Sequence, residues 1–144
     1  MKIVFTNGPG INLLGIRQPE IYGRENYADL CCKIARHCVK LGVDFDFFQS
    51  NHEGDIVDYI QSLYGTGWGI VINPAAYTHT SVAIYDALLT VNLPAVEVHI
   101  SDINSREEFR RHSYISPACL CTISGHGTEG YIEAADCLAK YMKK

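Results

Sequence analysis

Trp68-Gly69-Ile70-Val71-Ile72-Asn73-Pro74-Ala75-Ala76-Tyr77-Thr78-His79-Thr80-Ser81-Val82 is the stretch on which the fold turns. Its first five residues form an apolar run of strand length, rich in β-branched and aromatic side chains. A polar cluster from Asn73 to Ser81 follows at once. A helical period then begins, with Val82, Tyr85, Ala87 and Leu88 on one stripe and Asn92-Leu93-Pro94 closing it. An uninterrupted apolar run, rather than an alternating one, marks a strand buried on both faces. Such strands belong to parallel sheets covered by helices.

The same unit recurs outward in both directions. Apolar runs at 3–5, 43–48, 95–98 and 118–123 read as four more strands. Leu30, Ile34, Cys38 and Leu41 mark a helix stripe before Gly42. Ile56, Tyr59, Ile60 and Leu63 mark another, with Ser50 or Asn51 as N-cap and Gly65 as stop, and Ile132, Ala135, Leu138 and Met142 mark the last. The order predicts an α/β fold in one domain over 1–144: a five-stranded parallel sheet with helices on both faces and flavodoxin-like winding. In such a sheet the carboxyl ends of the strands converge on one crevice. Three of them end in polar clusters, Asn7-Gly8-Pro9-Gly10-Ile11-Asn12, Asn73 to Ser81, and Glu97-Val98-His99-Ile100-Ser101. Two connections are longer than the usual few residues. One contains an expected lid at about 16–24. The other, from Ser101 to Pro117, packs Arg106, Arg110, Arg111 and His112 into a polar stretch that reads as a short surface helix.

With 12 Lys plus Arg against 16 Asp plus Glu, the net charge of -4 argues against nucleic acid or an acidic membrane as main partner. No secretory leader opens the chain and no 18 consecutive apolar residues occur, so a soluble cytoplasmic protein is expected. The six cysteines read as reduced thiols, since no leader places them in an oxidising compartment. Cys119 and Cys121, expected on a strand, find no second pair at zinc-ligand spacing, so no metal is expected. No Lys lies near the polar clusters, which disfavours a Schiff base.

The glycines at 8, 10 and 15 invite a dinucleotide-binding reading, yet no Gly-x-Gly-x-x-Gly opens a helix there. A receiver domain of the same winding would carry Asp where Asn7 stands. Arg17 and Tyr22 have two readings. They are loop residues that hold the loop onto the sheet, or a guanidinium beside a tyrosinate base. Bringing a Tyr pKa from about 10 to about 7 needs roughly 4 kcal/mol, which one cation at about 4 Å supplies at an effective dielectric of about 20. His79 and His99 lie in polar strand-end clusters. Glu97 is two residues from His99, hence on the same sheet face, where its carboxylate can fix the imidazole tautomer as acid–base catalysis needs. His37, His52, His112 and His126 read as surface or structural.

Taken in order, several motifs resemble one family. They are Asn7-Gly8-Pro9 with Asn12-Leu13-Leu14-Gly15, Arg17-Gln18-Pro19-Glu20-Ile21-Tyr22-Gly23, the cluster from Asn73 to Ser81, Glu97-Val98-His99-Ile100-Ser101, Arg106 to Ser113, and Gly125-His126-Gly127-Thr128-Glu129-Gly130-Tyr131. Over essentially the whole chain this set resembles the type II 3-dehydroquinate dehydratases. One departure is Gly10, where the family has Asn; its side-chain hydrogen bonds are lost to the loop.

The resemblance implies a cofactor-free anti elimination of water from 3-dehydroquinate, giving 3-dehydroshikimate through an enolate. Tyr22 would be the base, Arg17 its activator, Asn12 the holder of a water on the enolate oxygen, and His99, oriented by Glu97, the proton donor to the departing hydroxyl. Asn73 with the amides of Ile100 and Ser101 would hold the substrate carboxylate, and His79 and Arg110 its hydroxyls. Asp86 would reach a neighbouring subunit's site in a dodecamer of trimers, although in isolation it reads equally as a solvated helix charge. Two other readings use the same fold: a binding module without turnover and a nucleotide-dependent oxidoreductase.

Overall fold

The structure, a computed structural model, describes residues 1–16, 20 and 24–144. Five strands, β1 (Lys2–Asn7), β2 (Asp44–Gln49), β3 (Gly69–Asn73), β4 (Ala95–His99) and β5 (Cys121–Ser124), pair in parallel in the order β2-β1-β3-β4-β5. The described helices are α1 (Tyr27–Leu41), α2 (Glu53–Ser62), α3 (Val82–Val91) and α4 (Glu129–Met142). This is the flavodoxin-like α/β architecture that the sequence pattern predicts.

Strand alternation divides the core in two. Ile3, Phe5, Val71, Val96 and Val98 pack with Leu30, Ile34 and Cys38 of α1 and with Tyr131, Ala134, Ala135 and Leu138 of α4. Val4, Ile70 and Ile72 point the other way, onto Ile56 and Ile60 of α2 and Ile84, Leu88 and Val91 of α3. Glu97, between Val96 and Val98, therefore faces the α2/α3 side, and Asn7 and Asn73 face the α1/α4 side.

Several local expectations shift. Each of β2, β3 and β4 runs one residue further toward its carboxyl end than its apolar run, because Gln49, Asn73 and His99 still pair in the ladder. β5 begins at Cys121, since 116–118 form a 3-10 turn around Pro117; Cys119 thus precedes the strand. Val82 is exposed at the outer start of α3, and Ile84 takes the buried place instead. The N-cap of α2 is His52. Ser50 sits just before it, its hydroxyl accepting from His52 N at 3.0 Å and donating to Asp55 at 2.7 Å. The polar stretch after β4 is no α-helix; it folds into 3-10 turns at Ile103–Ser105 and Glu108–Arg110. Asp102 satisfies the first turn's free amide at Asn104.

Candidate active site

The switch point of the sheet lies where β1 and β3 run side by side while their connections leave in opposite directions. The register places Asn7 beside both Gln49 and Asn73 at the carboxyl edge. Gly8 continues from Asn7 and donates its amide to Asn73 O at 2.8 Å. A Cβ at Gly8 would lie 2.3 Å from Pro74 O, so only glycine lets the two loops approach this closely. Gly10 follows with φ 81°, in the left-handed region. The Gly10 amide is held by Asn51 Oδ1 at 3.0 Å.

Above this edge lies a recess of about 120 Å³, several times the roughly 10–15 Å³ that one water requires. It is lined on one side by Pro9, Gly10, Ile11 and Leu14 of the loop after β1, and on the other by residues that end or follow β3 and β4. Of the residues singled out in the sequence, Asn73, His79, His99, Ile100, Ser101 and Arg110 line it together. Glu97 lies immediately behind His99. Asn12, on the 3-10 turn Ile11–Leu13, is exposed between two lining residues, with its Oδ1 accepting from Gln49 Nε2 at 3.3 Å. Asp86 is exposed on α3 and does not line the recess. Arg17 and Tyr22, with most of the expected lid, lie outside the described residues.

Glu97 is wholly buried and His99 is 5% exposed. His99 Nε2 and Glu97 Oε1 are 2.7 Å apart. An ionised carboxylate only accepts, so Nε2 carries the hydrogen and Nδ1 is the ring atom turned away from Glu97. Burial pushes the Glu97 carboxyl upward. The hydrogen bond and charge of His99, with hydroxyl bonds from Thr78 and Ser113, outweigh it and hold the group below its ordinary value.

His79 is tied at Nδ1 to His112 O at 2.8 Å, which assigns that nitrogen the hydrogen and leaves Nε2 a lone pair. Its ring stacks 6.4 Å from that of His99. Burial, joined by the charges of His99 and Arg110, lowers the His79 pKa against the His112 bond and Glu97. Both effects keep His79 neutral near pH 7.

Three further groups were not marked as site residues by the sequence. Arg106 lines the recess and donates from Nη1 to Ser101 Oγ at 3.2 Å, adding a second guanidinium to the wall that holds Arg110. Tyr131, fully buried on α4, accepts from Asn73 Nδ2 at 2.8 Å and donates to Asn7 Oδ1 at 2.7 Å. Burial pushes its phenol well above the ordinary range, so it stays a neutral donor. With Asn73 Oδ1 accepting from Ala75 N at 3.1 Å, both ends of the Asn73 amide are assigned and its flip is fixed. Ala75 adopts φ 53°, a strained left-handed conformation for a residue with a Cβ, directly at the recess. The third group is the set of hydroxyls around Glu97. Among the described residues no cluster of His, Cys, Asp and Glu could hold a metal ion.

Comparison with known proteins gives one family. The family model described as Dehydroquinase class II matches residues 1–139. A 3-dehydroquinate dehydratase of Clostridium acetobutylicum is 50% identical over 144 residues, covering all of both chains. A catabolic 3-dehydroquinase of Verticillium alfalfae is 51% identical over 142 residues, covering 99% of this chain and 95% of that one. The crystal structure of a type II dehydroquinase from Butyrivibrio crossotus superposes with a TM-score of 0.94 at 51% identity, over 96% of this chain and 97% of the other.

Proposed function

The chain belongs to the class II dehydroquinase family, and on that premise we propose that it is a hydro-lyase that dehydrates 3-dehydroquinate to 3-dehydroshikimate, the step shared by aromatic biosynthesis and quinate breakdown. The observation that carries the reading is the buried Glu97–His99 pair opening into a recess whose wall also holds Asn73, His79, Arg106 and Arg110. A small polyhydroxy acid matches such a wall: guanidinium groups and amides for its carboxylate, and a neutral imidazole with a free lone pair for a hydroxyl.

In this scheme Tyr22, as tyrosinate, takes the proton from carbon 2, and Arg17 stabilises the phenolate. The electron pair moves into the adjacent carbonyl as an enolate, whose oxygen receives a hydrogen bond from a water held by Asn12. The enolate then collapses. The carbon–oxygen bond at the leaving hydroxyl breaks, and that oxygen departs as water with the Nδ1 proton of protonated His99. Tyrosine then loses its proton and His99 regains one through solvent, which closes the cycle. Side chains supply every step, without metal or organic cofactor. Base and acid act on opposite faces of the ring, which is the anti stereochemistry.

Asn73 and the amides of Ile100 and Ser101 take the substrate carboxylate, with Arg106 adding charge, while His79 and Arg110 take hydroxyls. The single catalytic domain closes its site with a lid over about 16–24. Asp86 contacts a neighbouring subunit's site in a dodecamer of trimers; its exposure on the outer side of α3 suits that role. A cytoplasmic location is part of the same proposal. The deciding experiment is incubation of purified protein with 3-dehydroquinate while following the absorbance of the conjugated enone. Steady growth supports the reading, and a folded protein that yields no enone refutes it. Light scattering at twelvefold the 16.0 kDa chain mass tests the assembly.

A further inference from the structure

We infer that Thr78, Ser113 and Thr122 form a hydroxyl clamp that holds Glu97 as a rigid, ionised acceptor and so positions His99 for proton donation. The inference rests on the elimination reading for the role of His99, and on the geometry for the clamp itself.

Glu97 has no solvent contact, so its carboxylate must find donors within the protein or lose its charge. It finds four. His99 Nε2 and the Thr78 hydroxyl reach Oε1, and Thr122 Oγ1 reaches Oε2 at 3.1 Å. The Ser113 hydroxyl spans both oxygens, at 2.9 and 3.0 Å. An ionised carboxylate offers about four lone-pair sites, so the set saturates it.

The three hydroxyls come from separate elements. Thr78 is on the 3-10 turn after β3, Ser113 on the segment beyond Arg110, and Thr122 on β5 in register with Glu97. A carboxylate held from three directions cannot rotate away from His99. Proton direction is set as well. Ser113 Oγ accepts the amides of Ile115 at 3.1 Å and Ser116 at 3.0 Å, which leaves its only hydrogen for Glu97. A protonated Glu97 would present its own hydrogen to one of these donors, so protonation requires a bond to break. Among the described residues the titratable groups that face Glu97 are His99, His79, which also feels the Arg110 charge, and Cys119, whose thiol is pushed to about 12 by burial with the Glu97 charge adding.

A merely structural role for the hydroxyls makes a different prediction, and carbon-13 labelled glutamate separates the two. The Glu97 carboxyl signal, assigned with Glu97→Gln, is titrated in wild type, Thr122→Val, Ser113→Ala and Thr122→Ser. Loss of one donor to the charged form should raise the midpoint by about one pH unit, a tenfold change in the ionisation constant. It should also lower kcat about tenfold with KM within about twofold, since misplacing a reacting group acts on the chemical step. Thr122→Ser, which keeps the hydroxyl, should restore both. Ser113 also holds two backbone amides, so Thr78→Val replaces Ser113→Ala if that variant fails to fold. A midpoint unmoved in Thr122→Val and in the second variant overturns the clamp. So does a moved midpoint with wild-type kcat, which would leave the hydroxyls no part in the reaction. Wild-type protein without turnover refutes the elimination reading instead, and the titration then judges the clamp alone.

Discussion

Replacing Tyr131 with Phe tests how the far side of the sheet holds the candidate site. The ring is fully buried, and its hydroxyl ties two side chains that lie 58 and 124 residues away in the chain. Asn7 Oδ1 accepts that hydroxyl, and the bond anchors the Asn7 amide. Removing one oxygen leaves a gap too small for a water to enter. Asn7 then keeps an unsatisfied acceptor, and Asn73 loses a partner for its amide. Each buried unpaired group costs about 1–3 kcal/mol, so the pair should cost about 2–6 kcal/mol, or roughly 4–24 °C in Tm at about 2–4 °C per kcal/mol for a chain of this size.

The same substitution should reach the recess. Asn73 is held by Tyr131 at Nδ2 and by Ala75 N at Oδ1. With the first contact gone, the amide can turn, and binding of the substrate carboxylate should weaken: KM rises several-fold while kcat changes less, as expected for lost binding that ground and transition states share. Thermal melts and urea melts at fixed protein concentration, with m-values compared, measure the stability arm, because association would otherwise shift the midpoint. Steady-state kinetics measure the other. A Tm within about 2 °C of wild type, less than 1 kcal/mol of destabilisation at this size, together with an unchanged KM, would refute the reasoning.

Tyr22→Phe should lower turnover at least ~100-fold with folding intact, the usual size of a proton-transfer contribution; near-normal turnover removes Tyr22 as the base. Arg17→Met should move the acid limb of the rate profile upward in pH, because the phenolate loses its cation; an unshifted limb with a raised KM makes Arg17 a substrate contact instead. The depressed Glu97 carboxyl contributes stability that is present above its ordinary pKa of 4.5 and lost as pH falls through its lower folded value. Melts of wild type and Glu97→Gln should therefore converge as pH drops below that point, and a difference constant from pH 7 to 3 rejects the linkage. Gly8→Ala places a Cβ 2.3 Å from Pro74 O, so soluble yield and Tm should both fall; a wild-type melt would mean the loops part freely.

What could be read from the chain, and what could not, follows from how far each signal reaches. Strands buried on both faces write themselves as apolar runs, so the α/β order was legible, whereas the polar residues that end them, Asn73 and His99, still belong to the ladder and displaced the boundaries by one. Glu97 and His99 were legible as a pair because a spacing of two puts them on one face. The segment after β4 reads as helical by composition, yet Ser113 and Asp102 take its free amides into turns. Thr122 gave no signal, since a threonine on a strand is ordinary and only the β4–β5 register sets it opposite Glu97. Tyr131 closed a recognisable motif, but its task depends on α4 packing over β3 and β4 so that its first turn reaches Asn7 and Asn73 at the ends of β1 and β3. A glutamate inside an apolar strand does carry one further implication: its charge must be met by donors that the same strand cannot provide. The existence of a clamp was thus inferable from Glu97 alone, while its members required the sheet order.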